Sequence, residues 1–156
     1  MNEILKRLIN HEKLSRVESM KAMLKIGKGE IDSFQIATFL SVYMMRTITS
    51  IELAGFRDAL LKLCISVDLS DFDPIDLCGT GGDDKNTFNI STISSFVAAG
   101  AGIKVAKHGN YGVSSSCGSS NVLEFLGIKF SNKVDFLTKS IDTAGICILH
   151  APLFHP

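Results

Sequence analysis

Two stretches of this chain bring together residue types that do chemistry as a group. The first, CGTGGDDKNTFNIST from Cys78 to Thr92, holds three glycines, two adjacent acids, one lysine and four hydroxyl residues. Small residues let backbone N–H groups close around an anion, and serine or threonine adds donors. Asp83 and Asp84 oppose a bare phosphate, because a carboxylate repels it unless a cation or a sugar hydroxyl lies between them. The stretch therefore suits a metal-bound polyphosphate or a phosphorylated sugar. Two common phosphate loops are excluded. A Walker A loop needs glycine before its lysine, and Asp84 precedes Lys85; a dinucleotide fingerprint starting at Gly79 needs glycine where Asp84 stands.

The second stretch is KHGNYGVSSSCGSSN, residues 107–121. Lys107 can meet a phosphate as a point charge. His108 is open between a structural and a catalytic role, since spacing alone shows no carboxylate beside it. Asn110 offers both a donor and an acceptor to a small polar ligand. Ser114, Ser115, Ser119 and Ser120 can donate to phosphate oxygens, although some of them cap the helix expected near Asn121. In the first stretch, Asn89 to Thr92 open a helix whose unpaired N–H groups and dipole favour an anion. Capping by Ser91 or Thr92 explains one hydroxyl, but not three glycines and two acids before it.

The elements that must carry these loops differ between the two halves of the chain. From residue 1 to about 70 apolar residues recur at helical spacing, with Ile4, Leu5, Leu8 and Ile9 in one stripe and Val17, Met20, Ala22, Met23 and Leu24 in another. Ser15 with Glu18 and Thr49 with Glu52 read as capping boxes, and Asp32 with Gln35 as a close variant. Gly27-Lys28-Gly29 ends the second helix, and the apolar segment 33–47 reads as the central helix of a small bundle. From 71 to 156 short apolar runs alternate with helical ones. Strands are expected at 75–78, 103–107 and 146–150, and helices through SSFVAAGAG, through NVLEFLG and over about 132–144, the last stopped by Gly145. This pattern implies an α/β domain of βαβ units with a mainly parallel sheet, following the N-terminal helical bundle. Ligands gather at the carboxyl ends of such strands, where both polar stretches fall. A parallel sheet with so few strands is incomplete, so the expectation is that its second half lies beyond Pro156.

Sixteen basic and sixteen acidic side chains give a formal net charge of zero, so nothing global draws the chain to nucleic acid or to an anionic membrane. An anion site must be local. The four cysteines show neither C-x-x-C pairs nor zinc spacing and read as reduced, half-buried residues. The N-terminus lacks the pattern of a signal peptide, and no apolar run reaches the roughly 18 residues a membrane span needs. The expected location is the cytoplasm.

GTGGD, NTFNIST, VAKHGN and GSSNVLEFLG occur in this order, after a helical segment and before LHAPLFHP. In these motifs the chain resembles the anthranilate phosphoribosyltransferases of tryptophan biosynthesis, over its whole length and most strongly from Asp76 to Gly127. The resemblance implies a helical domain at 1–70, the first part of an α/β domain of nucleoside phosphorylase/phosphoribosyltransferase type at 71–156, a Mg²⁺-dependent reaction and a homodimer formed through the helical part. It implies that Gly79, Gly82, Asp83 and Thr87 contact phosphoribosyl pyrophosphate and that Asn89, Ile90, Ser91 and Thr92 wrap its pyrophosphate, with Ser91 also reaching Mg²⁺. Lys107, His108, Gly109, Asn110, Tyr111, Gly112, Val113, Ser114, Ser115 and Ser119 would complete that site, and Gly79 and Asn110 would also touch anthranilate. The chain departs from the family's commonest pattern at Tyr111, Ser116 and Asn121, where arginine, lysine and aspartate are frequent, so local positive charge is lost. The family's acidic pair for Mg²⁺ and its anthranilate-binding arginine fall beyond Pro156.

The chemistry so implied is displacement at the ribose anomeric carbon by the anthranilate amine, with pyrophosphate leaving. It needs no covalent nucleophile from the protein; positioning and neutralisation of the leaving group supply most of the effect. The alternatives are a pyrimidine nucleoside phosphorylase-like enzyme and a non-catalytic nucleotide-binding homologue.

Overall fold

The computed structural model describes residues 1–79, 88–112 and 117–155, and they form two compact units, Met1–Cys64 and Ile65–His155. The first unit is four helices: α1 (Asn2–Ile9), α2 (Arg16–Gly27), α3 (Ser33–Met45) and α4 (Ser50–Leu63). Local signals fix their starts. Ser15 and Glu18 form a reciprocal capping box on α2, Thr49 and Glu52 form another on α4, and the Asp32 side chain accepts from the Gln35 amide at the start of α3. Beyond Gly27, Gly29 takes φ +69°, a turn that a glycine makes at little cost.

α2 packs on α4 and α1 on α3 around Leu5, Leu8, Leu14, Ala22, Phe39 and Phe56. The α2/α4 crossing is close because Gly55 has no side chain: a Cβ there would lie 2.3 Å from the Arg16 carbonyl oxygen and 2.7 Å from Ser19 Cβ. Tyr43 and Phe56 meet edge-on at 5.2 Å between ring centres.

Glu52 extends its capping role. Fully buried, its carboxylate accepts from the Thr49 amide and hydroxyl, from the Leu14 amide at 3.0 Å, from Tyr43 Oη at 3.0 Å and from the Arg46 guanidinium at 2.5 and 3.1 Å. One side chain thereby ties the α1–α2 connection to α3 and α4.

Two expectations for this unit are corrected. Ile9 and Val17 sit outside the core at 57% and 54% exposure, because the stripes that bury centre on Leu5 and Leu8 and on Ser19 and Ala22. α3 is not central within the unit. Only Phe39 is buried, whereas Phe34, Met44 and Met45 are more than 80% exposed, since one narrow face of the helix meets its neighbours.

The second unit contains a 3₁₀ turn at Ser70–Phe72, α5 (Ile90–Gly100), β1 (Val105–Gly109), α6 (Ser119–Phe125), α7 (Val134–Ala144), β2 (Ile146–His150) and the short α8 (Ala151–Phe154). β1 and β2 pair in parallel, Val105 opposite Ile146 through Gly109 opposite His150. α7 covers β2, and Leu137 and Ile141 meet Ala106, Cys147, Leu69 and Phe154 in a second core. Gly145 ends α7 in the left-handed conformation, φ 73°, and Lys104 Nζ donates to the Ile141 and Asp142 carbonyls at that helix end. Of the cysteines, Cys147 is buried, which pushes its thiol up to about 11, while Cys78 and Cys117 are exposed rather than half-buried.

The strand expected at 75–78 reduces to one bridge, Ile75 with Val105. Ile75 donates to the Lys104 carbonyl and accepts from the Ala106 amide, as a parallel ladder requires. The next amide of β1, His108 N–H, finds the side chain Asp76 Oδ1 at 3.2 Å in place of a backbone carbonyl. A carboxylate has replaced the ladder acceptor, and the chain leaves the sheet. β1 itself begins two residues later than expected, at Val105.

Candidate functional site

The carboxyl end of β1 sets three residues of the second stretch in a row. Lys107 is buried, with Nζ donating to the His108 carbonyl at 3.1 Å. His108 is turned outward, and its Nδ1 lies 2.9 Å from Asp76 Oδ2. Gly109 is buried against α6, where a Cβ would stand 2.8 Å from Ser119 Oγ. Glycine at this point lets the strand end touch the serines.

Asn110 and its neighbours then fold back over the start of α6. The Asn110 carbonyl accepts from the Ser120 amide at 3.1 Å and from Ser119 Oγ at 3.4 Å, while its side chain Oδ1 accepts from the Tyr111 amide at 2.8 Å. Asn121 Oδ1 accepts from the Gly112 and Gly118 amides at 3.1 and 2.9 Å, so one side chain joins the two described ends of this stretch. A Cβ on Gly118 would fall 2.2 Å from the Gly112 nitrogen and 2.7 Å from the Asn110 carbonyl oxygen. Backbone is stacked on backbone here.

Tyr111 places its hydroxyl 3.4 Å from Glu124 and its ring edge-on to His150 at the end of β2. Burial pulls His150 below the ordinary histidine range, against a smaller opposing pull from Glu124; its Nδ1 meets Ser120 Oγ at 2.8 Å and its ring stacks on Phe130. An open groove of about 600 Å³, bordered by Tyr111, Glu124, Lys129, Phe130 and His150, lies beside these rings.

The first stretch contributes the start of α5. Asn89 holds the cap position without a side-chain cap bond, while the Ile90 and Thr92 amides donate to the Phe88 and Asn89 carbonyls at 2.7 and 3.1 Å. Gly79 lies under Ser91: a Cβ on the glycine would be 2.9 Å from Ser91 Oγ. Thr92 is buried and its Oγ1 has no hydrogen-bond partner among the described residues. The Ile90 side chain is exposed and contributes nothing polar.

Of the site residues read from the sequence, the structure brings Gly79 beside Ser91 and brings Gly109 and Asn110 beside Ser119, while Gly112 is held by Asn121. Gly82, Asp83, Thr87, Val113, Ser114 and Ser115 lie outside the described residues. Two residues were missed. Asp76 stands 32 positions from the histidine it holds, and no spacing rule spans that distance. Asn121 reads in the sequence as a lost charge, yet its carbonyl oxygen supplies the acceptor that shapes the loop.

A family model described as the glycosyl transferase family, a/b domain, matches residues 72–156, and its companion, the helical bundle domain, matches residues 2–64. The chain belongs to this glycosyl transferase family. Among its relatives, the anthranilate phosphoribosyltransferase of Flavobacterium psychrophilum is 69% identical over the whole chain and that of Cytophaga hutchinsonii 64% identical. The chain covers 47% and 48% of those two proteins, so it spans about half the length of the relatives it matches. The crystal structure of the Thermus thermophilus anthranilate phosphoribosyltransferase superposes with a TM-score of 0.82 at 32% identity, covering 97% of this chain and 46% of that one. The Saccharomyces cerevisiae enzyme, in complex with phosphoribosyl pyrophosphate (PRPP) and Mg, superposes with a TM-score of 0.79 at 29% identity, with the same coverage. This glycosyl transferase family chain therefore has the phosphoribosyltransferase type of fold expected from its motifs: a helical domain, then a partial α/β domain on a parallel sheet.

Proposed function

We propose that the protein carrying this chain transfers the phosphoribosyl group of PRPP to the amine of anthranilate, releasing pyrophosphate, as a step of tryptophan biosynthesis. Residues 1–70 would be its helical domain and 71–156 the first part of its catalytic α/β domain. The names of the relatives supply the substrates. The observation in the structure that supports the reading is the start of α5, where the positive end of the helix dipole, the Ser91 hydroxyl against Gly79 and the buried Thr92 hydroxyl, without a partner among the described residues, suit an anion.

In this reading Asn89 to Thr92 receive the pyrophosphate, and Gly79, Gly82, Asp83 and Thr87 line the path to the ribose. Lys107, placed within the fold, supplies fixed positive potential, while His108 to Ser115 and Ser119 close the other side. Gly79 and Asn110 border the place for anthranilate. Among the described residues no three His, Cys, Asp or Glu side chains gather as a metal cage. The oxygen chemistry of Ser91 fits a Mg²⁺ ion that arrives on the pyrophosphate and keeps most of its ligands from substrate and water. Bound there, Mg²⁺ would neutralise charge on the leaving pyrophosphate. Holding the amine against the anomeric carbon is the main task left to the protein, because an aromatic amine is already a nucleophile. The same reading makes the enzyme a cytoplasmic homodimer. The exposed Phe34, Met44 and Met45 of α3 support an interface on the helical domain.

The test is to follow anthranilate fluorescence in a mixture of the full-length protein, PRPP and Mg²⁺. Fluorescence should fall with time, and only when all three components are present. Constant fluorescence with folded protein rejects the reading, and phosphorolysis of a pyrimidine nucleoside by the same preparation would replace it.

A further inference from the structure

We propose that Asp76 is a positioning residue of this site: it holds the His108 imidazole with Nδ1 protonated, so that Nε2 is the base that takes the proton of the attacking amine. The proposal rests on the transferase reading and deepens it.

The geometry begins with the edge of the sheet. Asp76 grips His108 at two points, through Oδ1 to the backbone amide at 3.2 Å and through Oδ2 to ring Nδ1 at 2.9 Å. A carboxylate only accepts, so the ring nitrogen facing it must carry the hydrogen. That choice leaves Nε2 with a lone pair and no partner among the described residues, the arrangement in which an imidazole accepts a proton. The amide contact makes the grip stiff: the carboxylate cannot swing from the ring without releasing a β1 N–H. Asp76 and His108 are 40% and 47% exposed, as a group that must reach substrate requires. The placement also fits. His108 lies one residue after Lys107 and two before Asn110, at the carboxyl end of β1 where ligands of parallel sheets bind.

The step balances simply. The amine nitrogen forms its bond to the anomeric carbon as the carbon–oxygen bond breaks and pyrophosphate departs with the electron pair. The extra N–H proton of the resulting secondary ammonium passes to Nε2, and the imidazolium so formed is paired with Asp76. The proton then returns to water, which restores the neutral ring.

Asp76→Asn separates holding from folding. The asparagine oxygen still accepts the His108 amide, but its NH₂ group presents a donor to Nδ1 and so moves the ring proton to Nε2. In the full-length protein, kcat should fall at least tenfold, within the roughly 10²–10⁴-fold range that positioned proton transfer contributes, with KM for PRPP within twofold of the parent. His108→Gln should lose a comparable factor, and the double variant should lose little more than either alone. Long-range ¹H–¹⁵N spectra of histidine-labelled protein should show His108 with Nδ1 protonated in the parent and Nε2 protonated in Asp76→Asn. A kcat within twofold in Asp76→Asn, additive losses in the double variant, or a parent His108 protonated on Nε2 would each overturn the proposal. If the parent has no transferase activity, the broader reading fails by that fact, whereas the spectra still report whether Asp76 sets the ring.

Discussion

Replacing Glu52 by alanine should be among the most damaging single changes to the helical unit. Its carboxylate is fully buried and serves the amides of Leu14 and Thr49, the hydroxyls of Thr49 and Tyr43, and the Arg46 guanidinium, which is itself 12% exposed. Alanine leaves a nearly buried cation without its counter-charge, a loss of about 3–5 kcal/mol when one member of a buried pair is removed. Glu52→Gln also removes the counter-charge of Arg46 but keeps an acceptor for Leu14, so it should cost less than alanine. With a urea slope of about 1–3 kcal/mol per molar, alanine should lower the midpoint, read by far-UV circular dichroism, by roughly 1 M or more. Amide exchange should accelerate in residues 1–64 and much less in 65–155.

The pH dependence follows from the same contacts. Burial by itself pushes the Glu52 carboxyl up, but Arg46 and the amides of Leu14 and Thr49 outweigh it and hold the group well below the ordinary carboxylate range. A depressed carboxyl stabilises the fold fully above its unfolded pKa of about 4.3 and loses that stabilisation as pH falls toward the lower folded value. Glu52→Gln should therefore lie closest to the parent in acid and diverge from it as pH rises through 4. An alanine variant within about 0.5 kcal/mol of the parent, or one whose faster exchange lies in residues 65–155, would refute this account of how the unit is held.

Two further outcomes are expected. His150 is shifted by burial below the usual histidine range, so its contribution is intact above about pH 6.5 and is lost as pH falls; His150→Phe should flatten the fall in unfolding midpoint below about pH 6.5, measured in a buffer series. Gly118→Ala places a methyl against the Gly112 nitrogen and the Asn110 carbonyl, so the second loop must shift; in the full-length protein KM for PRPP should rise severalfold while the urea midpoint changes by less than it does for Glu52→Ala.

What the sequence determined by itself was local or periodic. Capping at Ser15, Asp32 and Thr49 is written within three residues, the turns at Gly29 and Gly145 within one, and β2 with α7 before it in an unbroken pattern of apolar spacing. The glycine and hydroxyl content of the two stretches likewise carries the anion site proposed above, with no geometry needed to suggest it. Tertiary structure decided the rest, because it depends on which distant groups meet. Glu52 reads as a cap and is also the partner of Leu14, 38 positions away. The run at 75–78 has the composition of a strand, and only the arrival of His108 beside Asp76 diverts the ladder from backbone to side chain. The faces of α1, α2 and α3 that stay exposed were undecided for the same reason: periodicity shows that a helix has an apolar side, while burial depends on the neighbour that covers it.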